Sequence, residues 1–246
     1  MTFVSTKTGQ FAYFSQQVGD ADWRGKNVLD YGGNIGNILR DPSCTIDEER
    51  YWCVDVDAES IARGRAFYPR ANWVHFDRWC FFFNPYGVRG LALPKIDRQF
   101  DYIVAYSVFT NTPPSDMLDL VGDLESRLAP GGALAFTFID HRYHAWPSKK
   151  YKWNNFHWRL EREQGDVWTD EATELRARAD ASAWCILVNG EELYVEREDV
   201  RDVPPEEQRT YHVFYAAEQM KAFFPHAEIV PPANNEMQHC CVIRKR

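Results

Sequence analysis

The sequence predicts an α/β fold in which helices cover both faces of a doubly wound, mostly parallel sheet. Between residues 27 and 140, short apolar runs alternate with amphipathic stretches, which is the pattern of βαβ units. Two further apolar runs, at 227–230 and 238–243, follow each other after a short connection, and strands joined in this way pair antiparallel. These observations predict a parallel sheet that ends in an antiparallel strand.

Apolar runs define the predicted parallel strands, which cover residues 27–31, 50–56, 72–76, 100–106 and 133–139. A helix is predicted over 57–67 with Asp57 as its N-cap, because a side-chain oxygen there satisfies free N–H groups of the first turn. A second helix is predicted over 115–128, where the apolar residues share one face, and a third near 216–224. Residues 129–132 (Ala-Pro-Gly-Gly) are predicted to stop the second helix before the next strand begins.

After residue 140 the sequence becomes polar, aromatic and charged, and the alternating α/β pattern resumes near residue 211. This change predicts that the chain divides into three segments. Residues 1–140 would hold an N-terminal segment and the α/β core, 141–210 an insertion, and 211–246 the completion of the core sheet. Within the insertion, the runs WCILV and EELYV flank Asn189-Gly190, which is typical of a two-residue hairpin turn. A connection of about 70 residues is too long for a simple loop in a compact domain, so we expect it to form a lid over a substrate.

The composition limits the classes of function. A formal net charge of -8 argues against a protein that binds nucleic acid over its whole surface. No stretch approaches the length of about 20 apolar residues that spans a bilayer, and the first residues do not resemble a signal peptide, so we expect a cytoplasmic protein with no membrane contact. The six cysteines form no C-x-x-C pair, which favours buried thiols and predicts no metal site.

The glycine-rich stretch KNVLDYGGNIGNIL carries the main functional signal. A strand that ends at Asp30 brings the following turn to the carboxyl edge of the sheet, where open α/β proteins bind ligands. Gly32, Gly33 and Gly36 allow the backbone to turn sharply, and Asn34 is the residue type that best tolerates a positive φ after glycine. The stretch therefore predicts a strand-to-helix turn that a ligand can approach closely.

The order D-x-G-G-N-x-G resembles the first motif of class I S-adenosylmethionine-dependent methyltransferases of the small-molecule type, which have a Rossmann-like sheet. An aspartate two residues before the first glycine would repel a pyrophosphate, whereas it suits a ligand that carries a positive amine or sulfonium. The resemblance therefore implies S-adenosyl-L-methionine as the cofactor. It extends over roughly residues 25–140 and, more weakly, 211–246.

The resemblance also implies which residues contact the cofactor. Asp55, at the end of the second strand, would bind the ribose hydroxyls, although Asp57 is a rival that fits a helix cap better. Asp77, after the third strand, would meet the adenine amino group. The remaining implied cofactor positions follow the glycine turn and the ends of the second, third and fourth strands: Asn37, Val56, Arg78, Trp79, Tyr106 and Ser107.

The acceptor side is less defined. His144 and His141, directly after the fifth strand, are the candidates for a general base or a substrate ligand, with an exposed loop histidine as the alternative. Asn111 occupies a region where relatives often carry a histidine, which leaves the identity of the base open. The other candidates for the acceptor site are Tyr13, Tyr143 and Trp146. For Tyr13 the alternative is simple packing of an aromatic helix on the sheet.

These patterns predict a methyltransferase that acts on oxygen or nitrogen of a small-molecule acceptor, without a metal. Two alternatives remain open from the sequence. Basic and aromatic residues alternate over 141–162, which would suit an RNA or protein methyltransferase. A methyltransferase-like scaffold without activity is the other alternative. The sequence does not indicate the oligomeric state.

Overall fold

The computed structural model describes residues 9–80, 83–84, 86–140, 184–188, 191–195, 210–232 and 238–246. The strands within these ranges are β1 (Val28–Tyr31), β2 (Tyr51–Asp55), β3 (Asn72–His75), β4 (Phe100–Ala105), β5 (Leu128–Phe138), β6 (Trp184–Val188), β7 (Glu191–Val195), β8 (Thr210–Phe214), β9 (Glu228–Val230) and β10 (His239–Arg244). The helices are α1 (Gln10–Val18), α2 (Ala58–Phe67), α3 (Pro114–Ser126) and α4 (Ala217–Phe223).

Seven strands form the main sheet in the order β3-β2-β1-β4-β5-β10-β9. β1 pairs parallel with β2 and β4, and β4 pairs parallel with β5, whereas β10 is antiparallel to both of its neighbours. The predicted mostly parallel sheet with an antiparallel last strand is therefore confirmed. Because β1, β2, β4 and β5 run in one direction, their carboxyl ends meet at one edge, and the first residues of β10 lie at that same edge.

A hydrophobic core covers each face of the sheet, as expected for a doubly wound fold. On one face, α3 contributes Met117, Leu120, Val121 and Leu124 to a core that includes alternate residues of β5. On the opposite face, α1 contributes Phe11 and Phe14, which are fully buried with Trp23. The helices thus cover both faces and leave the strand ends available for a site.

The predicted helix boundaries hold for α2, which begins after Asp57, and for α4. The predicted stop over residues 129–132 is wrong, because these residues belong to β5. Phe100 pairs with Leu128 and Tyr102 pairs with Ala133, so the four residues 129–132 bulge opposite a single residue of β4. A Cβ on Gly132 would lie 2.9 Å from the carbonyl oxygens of Phe100 and Asp101, which is why the bulge needs a glycine there.

A second sheet has the order β7-β6-β8. β6 and β7 pair antiparallel, which confirms the two predicted hairpin strands, while Asn189-Gly190 lies outside the described residues. β8 pairs parallel with β6, a pairing that the sequence did not indicate. The backbone of β8 packs against the 3-10 turn Phe109–Asn111, and the chain then returns to the core, where the Tyr215 amide donates to Ile139 O at 2.9 Å.

Among the described residues, no helix combines the length and the apolar character that crossing a membrane requires.

Candidate active site

The glycine turn follows β1 directly at the carboxyl edge. The turn comprises residues 32–36. Three of its five residues, Gly32, Asn34 and Gly36, adopt a left-handed backbone with φ angles of 74°, 55° and 82°. A Cβ on Gly32 would lie 2.4 Å from a methyl carbon of Val108, which follows β4. The turn is therefore in contact with the residues after β4. The helix that follows the predicted strand-to-helix turn is a four-residue 3-10 helix, Asn37–Arg40.

Asp30 lies beneath this turn. Its carboxyl group is 2% exposed and accepts a hydrogen bond from the Tyr51 hydroxyl at 2.8 Å. Burial raises the pKa of Asp30 to about 7, and the bond from Tyr51 acts in the opposite direction. A Cβ on Gly33 would lie 2.5 Å from Asp30 Oδ2, so Gly33 packs directly on the carboxylate. Asp30 thus supports the turn from below and does not open onto the edge.

Asp55 holds the turn from the side. Its Oδ2 accepts from the Asn34 amide at 2.7 Å and its Oδ1 accepts from the Asp57 amide at 2.8 Å. Burial raises the pKa of Asp55 to about 6, and these backbone hydrogen bonds oppose the rise. A carboxylate has about four acceptor positions, and the backbone amides of Asn34, Asp57 and Val56 act on this one, so a position remains for a further donor.

Asp57 and Ser60 connect the turn to α2. Asp57 caps this helix by accepting from the Glu59 amide at 3.1 Å, as predicted. The Ser60 hydroxyl donates to Asp57 at 2.5 Å and accepts from Asn34 Nδ2 at 3.0 Å. The side chain of Asn34 therefore fixes the left-handed residue to the helix, an interaction that a glycine would not make.

The segment after β3 places its three candidate residues differently from one another. Asp77 is exposed and accepts from Asn84 Nδ2 at 2.9 Å. Arg78 is 8% exposed, and its guanidinium donates to Asp116 and to Leu91 O, both at 2.7 Å. The Trp79 ring lies 3.8 Å from the Arg89 guanidinium carbon. The guanidinium of Arg78 is thus held by protein groups, whereas Asp77 remains accessible.

A network of hydroxyl and amide groups follows β4. Ser107 has a φ of 60°, which is rare for a residue other than glycine, and its amide donates to Thr137 Oγ1 of β5 at 2.7 Å. Thr110 Oγ1 donates to Ser107 O at 3.0 Å and accepts from Asn111 Nδ2 at the same distance. Asn111, predicted to line the acceptor site, therefore lies beside Ser107.

Tyr13 reaches the same place from α1. Its ring centroid is 5.9 Å from that of Tyr106, with the two rings nearly perpendicular. A side-chain hydrogen bond joins Tyr13 to Cys240, whose pKa is raised to about 12 by burial. Phe11 and Phe14 on the same helix are buried in the core. The core residues of this helix pack on the sheet, and Tyr13 lies beside the end of β4, while its part in an acceptor site stays a prediction.

Gln238 was not identified as a site residue. It is 2% exposed, and its Nε2 donates to Ser107 Oγ at 3.1 Å. Its Oε1 is buried and has no hydrogen-bond partner among the described residues. The signal in the sequence was its place before the last strand, since an antiparallel strand begins at the edge where its parallel neighbours end.

The histidines separate into two groups. His141 and His144, together with Tyr143 and Trp146, lie outside the described residues. Of the others, His75 Nε2 is 3.2 Å from Val56 O and His226 Nε2 is 3.2 Å from Glu125. His239 packs against the Phe138 ring at 5.2 Å. Among the described residues, no group of three or more His, Cys, Asp or Glu side chains has an arrangement that would hold a metal ion.

Three features together are typical of the class I methyltransferase fold. The seven-stranded sheet is mostly parallel with β10 antiparallel, a glycine turn follows β1, and the acidic residue Asp55 ends β2. A methyltransferase domain family matches residues 10–194, which is more than half of the chain. The chain belongs to this family, and the predicted class and the cofactor that the class uses, S-adenosyl-L-methionine, are confirmed at the level of the family. No curated protein matches the sequence.

Solved structures resemble the chain with low sequence identity. A putative O-methyltransferase from Nostoc punctiforme is 9% identical with a TM-score of 0.51, over 97% of this chain and 56% of that one. The glycopeptide N-methyltransferase MtfA, complexed with S-adenosyl-L-homocysteine, is 16% identical with a TM-score of 0.41, over 57% and 55%. CalS10, an amino pentose methyltransferase from Micromonospora echinaspora, is 18% identical with a TM-score of 0.39, over 55% and 56%. The chain spans little more than half the length of these structures.

Proposed function

We propose that this chain binds S-adenosyl-L-methionine at the glycine turn and transfers its methyl group to an oxygen or nitrogen atom of a small molecule. The observation that carries the proposal is the position of Asp55, a buried carboxylate that holds the turn and has an acceptor position for a further donor. A ribose hydroxyl would supply such a donor.

The residues around Asp55 suit the rest of such a ligand. The positive φ angles at Gly32, Asn34 and Gly36 turn the main chain sharply after β1, and we propose that the ligand contacts the main chain of this turn. Asp77, exposed after β3, would accept from an adenine amino group. We assign Arg78 a supporting role for this segment, because Asp116 and Leu91 occupy its guanidinium.

The charge beneath the turn suits a cationic ligand. Asp30 and Asp55 are both buried at the carboxyl edge, and a nearby positive charge favours the ionised form of each carboxyl group. When bound, S-adenosylmethionine supplies a methyl group on a positive sulfur, and that C–S bond breaks with its electron pair on sulfur. The remaining task of the protein is to align the acceptor and exclude water.

The acceptor would lie beside Tyr13, Tyr106, Ser107 and Asn111, at the ends of α1 and β4. The described part of this region offers rings, hydroxyls and amides. Such a surface suits a small neutral or cationic molecule, and the net charge of -8 favours it over a nucleic acid. For an acceptor hydroxyl, whose proton needs a base, we propose His144 or His141, which follow β5 in the sequence.

Calorimetric titration with S-adenosyl-L-homocysteine, the reaction product, tests the cofactor site. We expect micromolar or tighter binding, and a loss of at least about tenfold in Asp55→Ala, since a hydrogen bond from the ligand to a charged group disappears. Asp57→Ala is the matched control, because Asp57 is also acidic and lies two residues away but caps α2; its affinity should change by less than about threefold. Absence of binding by the wild-type chain, or equal loss in both variants, would contradict the assignment.

A further inference from the structure

The carboxyl edge of the sheet, where the glycine turn also lies, contains a buried atom without a hydrogen-bond partner among the described residues, at the start of β10. Gln238 Oε1 is buried without a hydrogen-bond partner among the described residues, although Gln238 Nε2 is held by Ser107 Oγ at 3.1 Å. An amide oxygen that lacks a partner in the interior costs about 1–3 kcal/mol, and native proteins rarely retain such a group without a reason. We therefore expect Gln238 Oε1 to accept a hydrogen bond from a donor outside the described residues.

The location of this oxygen connects it to the proposed site. Ser107, which holds the Gln238 amide, precedes Val108, and Val108 is the residue that a Cβ on Gly32 would meet. The chain of contacts from the cofactor turn to Gln238 is thus only two residues long. On the same face, Cys240 is joined to Tyr13, which lies against Tyr106. In the strand order β1-β4-β5-β10, Gln238 therefore lies beside the residues proposed for the acceptor, on the side away from the cofactor turn.

The amide is also held rigidly, as a residue that orients a ligand must be. Ser107 is fixed by its left-handed backbone, by its amide hydrogen bond to Thr137 at 2.7 Å and by Thr110, whose hydroxyl lies 3.3 Å from Ser107 Oγ. Because Nε2 donates to this fixed hydroxyl, the direction of Oε1 is set before any ligand arrives. No acidic side chain contributes to this network, so the site recognises a donor without requiring a positive charge.

We infer that Gln238 binds the methyl acceptor, its Oε1 accepting a hydrogen bond from the N–H or O–H of the atom that is methylated. The inference rests on the proposed function. It specifies the substrate class as primary or secondary amines and alcohols, because an acceptor atom without a hydrogen leaves Oε1 unpaired. An amide oxygen is not a base at neutral pH, so Gln238 orients the lone pair of the acceptor while the proton leaves to a separate base or to water.

The test uses sinefungin, an analogue of S-adenosylmethionine in which a carbon bearing an amino group replaces the methylated sulfur. Its amine presents N–H donors at the position of the transferred methyl group. We expect the wild-type chain to bind sinefungin more tightly than S-adenosyl-L-homocysteine. In Gln238→Leu the ratio of the affinity for sinefungin to that for S-adenosyl-L-homocysteine should fall by about ten- to hundredfold. The affinity for S-adenosyl-L-homocysteine itself should be unchanged. Gln99→Leu, the same change before β4 at the opposite edge of the sheet, should leave both affinities unchanged.

A second variant makes the result independent of how well Gln238→Leu folds. Gln238→Glu replaces the amide by a carboxylate, a stronger acceptor for an ammonium group, so its preference for sinefungin should exceed that of the wild type. An equal affinity of the wild type for the two ligands, an unchanged preference in Gln238→Leu, or a lower preference in Gln238→Glu would each overturn the inference. If S-adenosyl-L-homocysteine does not bind the wild-type chain, the proposed function itself fails, which distinguishes the two.

Discussion

The two halves of the carboxyl edge satisfy their polar groups in opposite ways. In the cofactor half, which consists of Asp30, Gly32–Gly36 and Asp55, charged groups are buried; Asp55 accepts from main-chain amides and Asp30 from the Tyr51 hydroxyl. In the acceptor half, which consists of Tyr106–Asn111, Thr137 and Gln238, the described groups are neutral, and Gln238 Oε1 has no partner among them. A ligand common to a whole family suits the first arrangement, and a ligand particular to one protein suits the second.

The cofactor half should be the more sensitive to added volume. In Gly33→Ala the new methyl group would lie 2.5 Å from Asp30 Oδ2 and 2.9 Å from Cys53 Sγ, both of which are buried. We expect binding of S-adenosyl-L-homocysteine to weaken by at least about a hundredfold and the free energy of unfolding to fall by about 2–3 kcal/mol. Calorimetry and urea unfolding measure these two quantities.

Gly122→Ala is the matched control for this change. Gly122 lies within α3, and a Cβ there would meet no atom within 4 Å. Because alanine favours a helix over glycine, this variant should gain about 0.5–1 kcal/mol and bind the ligand normally. Normal binding by Gly33→Ala would show that the turn moves freely above Asp30, contrary to the packed arrangement.

Arg78 lies at the border of the cofactor half and pairs with Asp116. Loss of this ion pair should affect stability more than ligand binding. Asp116→Ala would leave a guanidinium that is only 9% exposed without its ionic partner, which should lower the free energy of unfolding by about 3 kcal/mol. Glu59→Ala, which breaks the exposed pair with Arg63, should cost below about 0.5 kcal/mol. The affinity of folded Asp116→Ala for S-adenosyl-L-homocysteine should stay within about threefold. A tenfold weaker affinity with unchanged stability would instead make Arg78 a cofactor ligand.

The buried carboxyl groups of the cofactor half should make stability depend on pH. Burial raises the pKa of Asp30 to about 7 and that of Asp55 to about 6, so the folded chain holds protons that the unfolded chain has released. Their contribution is fully present below about pH 4 and is lost as the pH rises to about 7. Between pH 5 and pH 8 the decline covers about two pH units for Asp30 and about one for Asp55, so urea unfolding should show a loss from this source on the order of 4 kcal/mol.

Asp30→Asn provides the comparison for this pH effect. Its amide oxygen still accepts from the Tyr51 hydroxyl, but it does not ionise, so the decline between pH 5 and pH 8 should become smaller than in the wild type. Ligand binding should change in the opposite direction, because hydroxyl donors favour ionised Asp55 and the affinity should fall as the pH drops below about 6. An identical pH dependence in Asp30→Asn and the wild type would contradict the burial of this charge.

Sequence patterns could predict whatever depends on neighbours along the chain. The positions of the strands of the main sheet and the cap at Asp57 follow from local periodicity and from one side chain near a helix start. The bulge at 129–132 was missed because proline and glycine equally mark a helix stop, and only the pairing with β4 decides between them. The roles of Arg78 and Gln238 depend on partners 38 and 131 residues away, and no local pattern reports such contacts.

The smallest effect concerns Asn34, which is not a glycine but has a positive φ within the glycine turn. Asn34→Gly would relieve a left-handed backbone, worth about 1 kcal/mol, and would lose the hydrogen bond from Nδ2 to Ser60, worth a similar amount. The two changes nearly cancel. The equilibrium constant for unfolding and the ligand affinity should therefore both stay within about threefold of the wild-type values. Asn34→Ala loses the hydrogen bond and keeps the strain, so it should be the less stable variant in urea unfolding. If Asn34→Gly were the less stable of the two, the bond to Ser60 would outweigh the backbone, and the turn would depend on that side chain more than on its freedom to adopt positive φ.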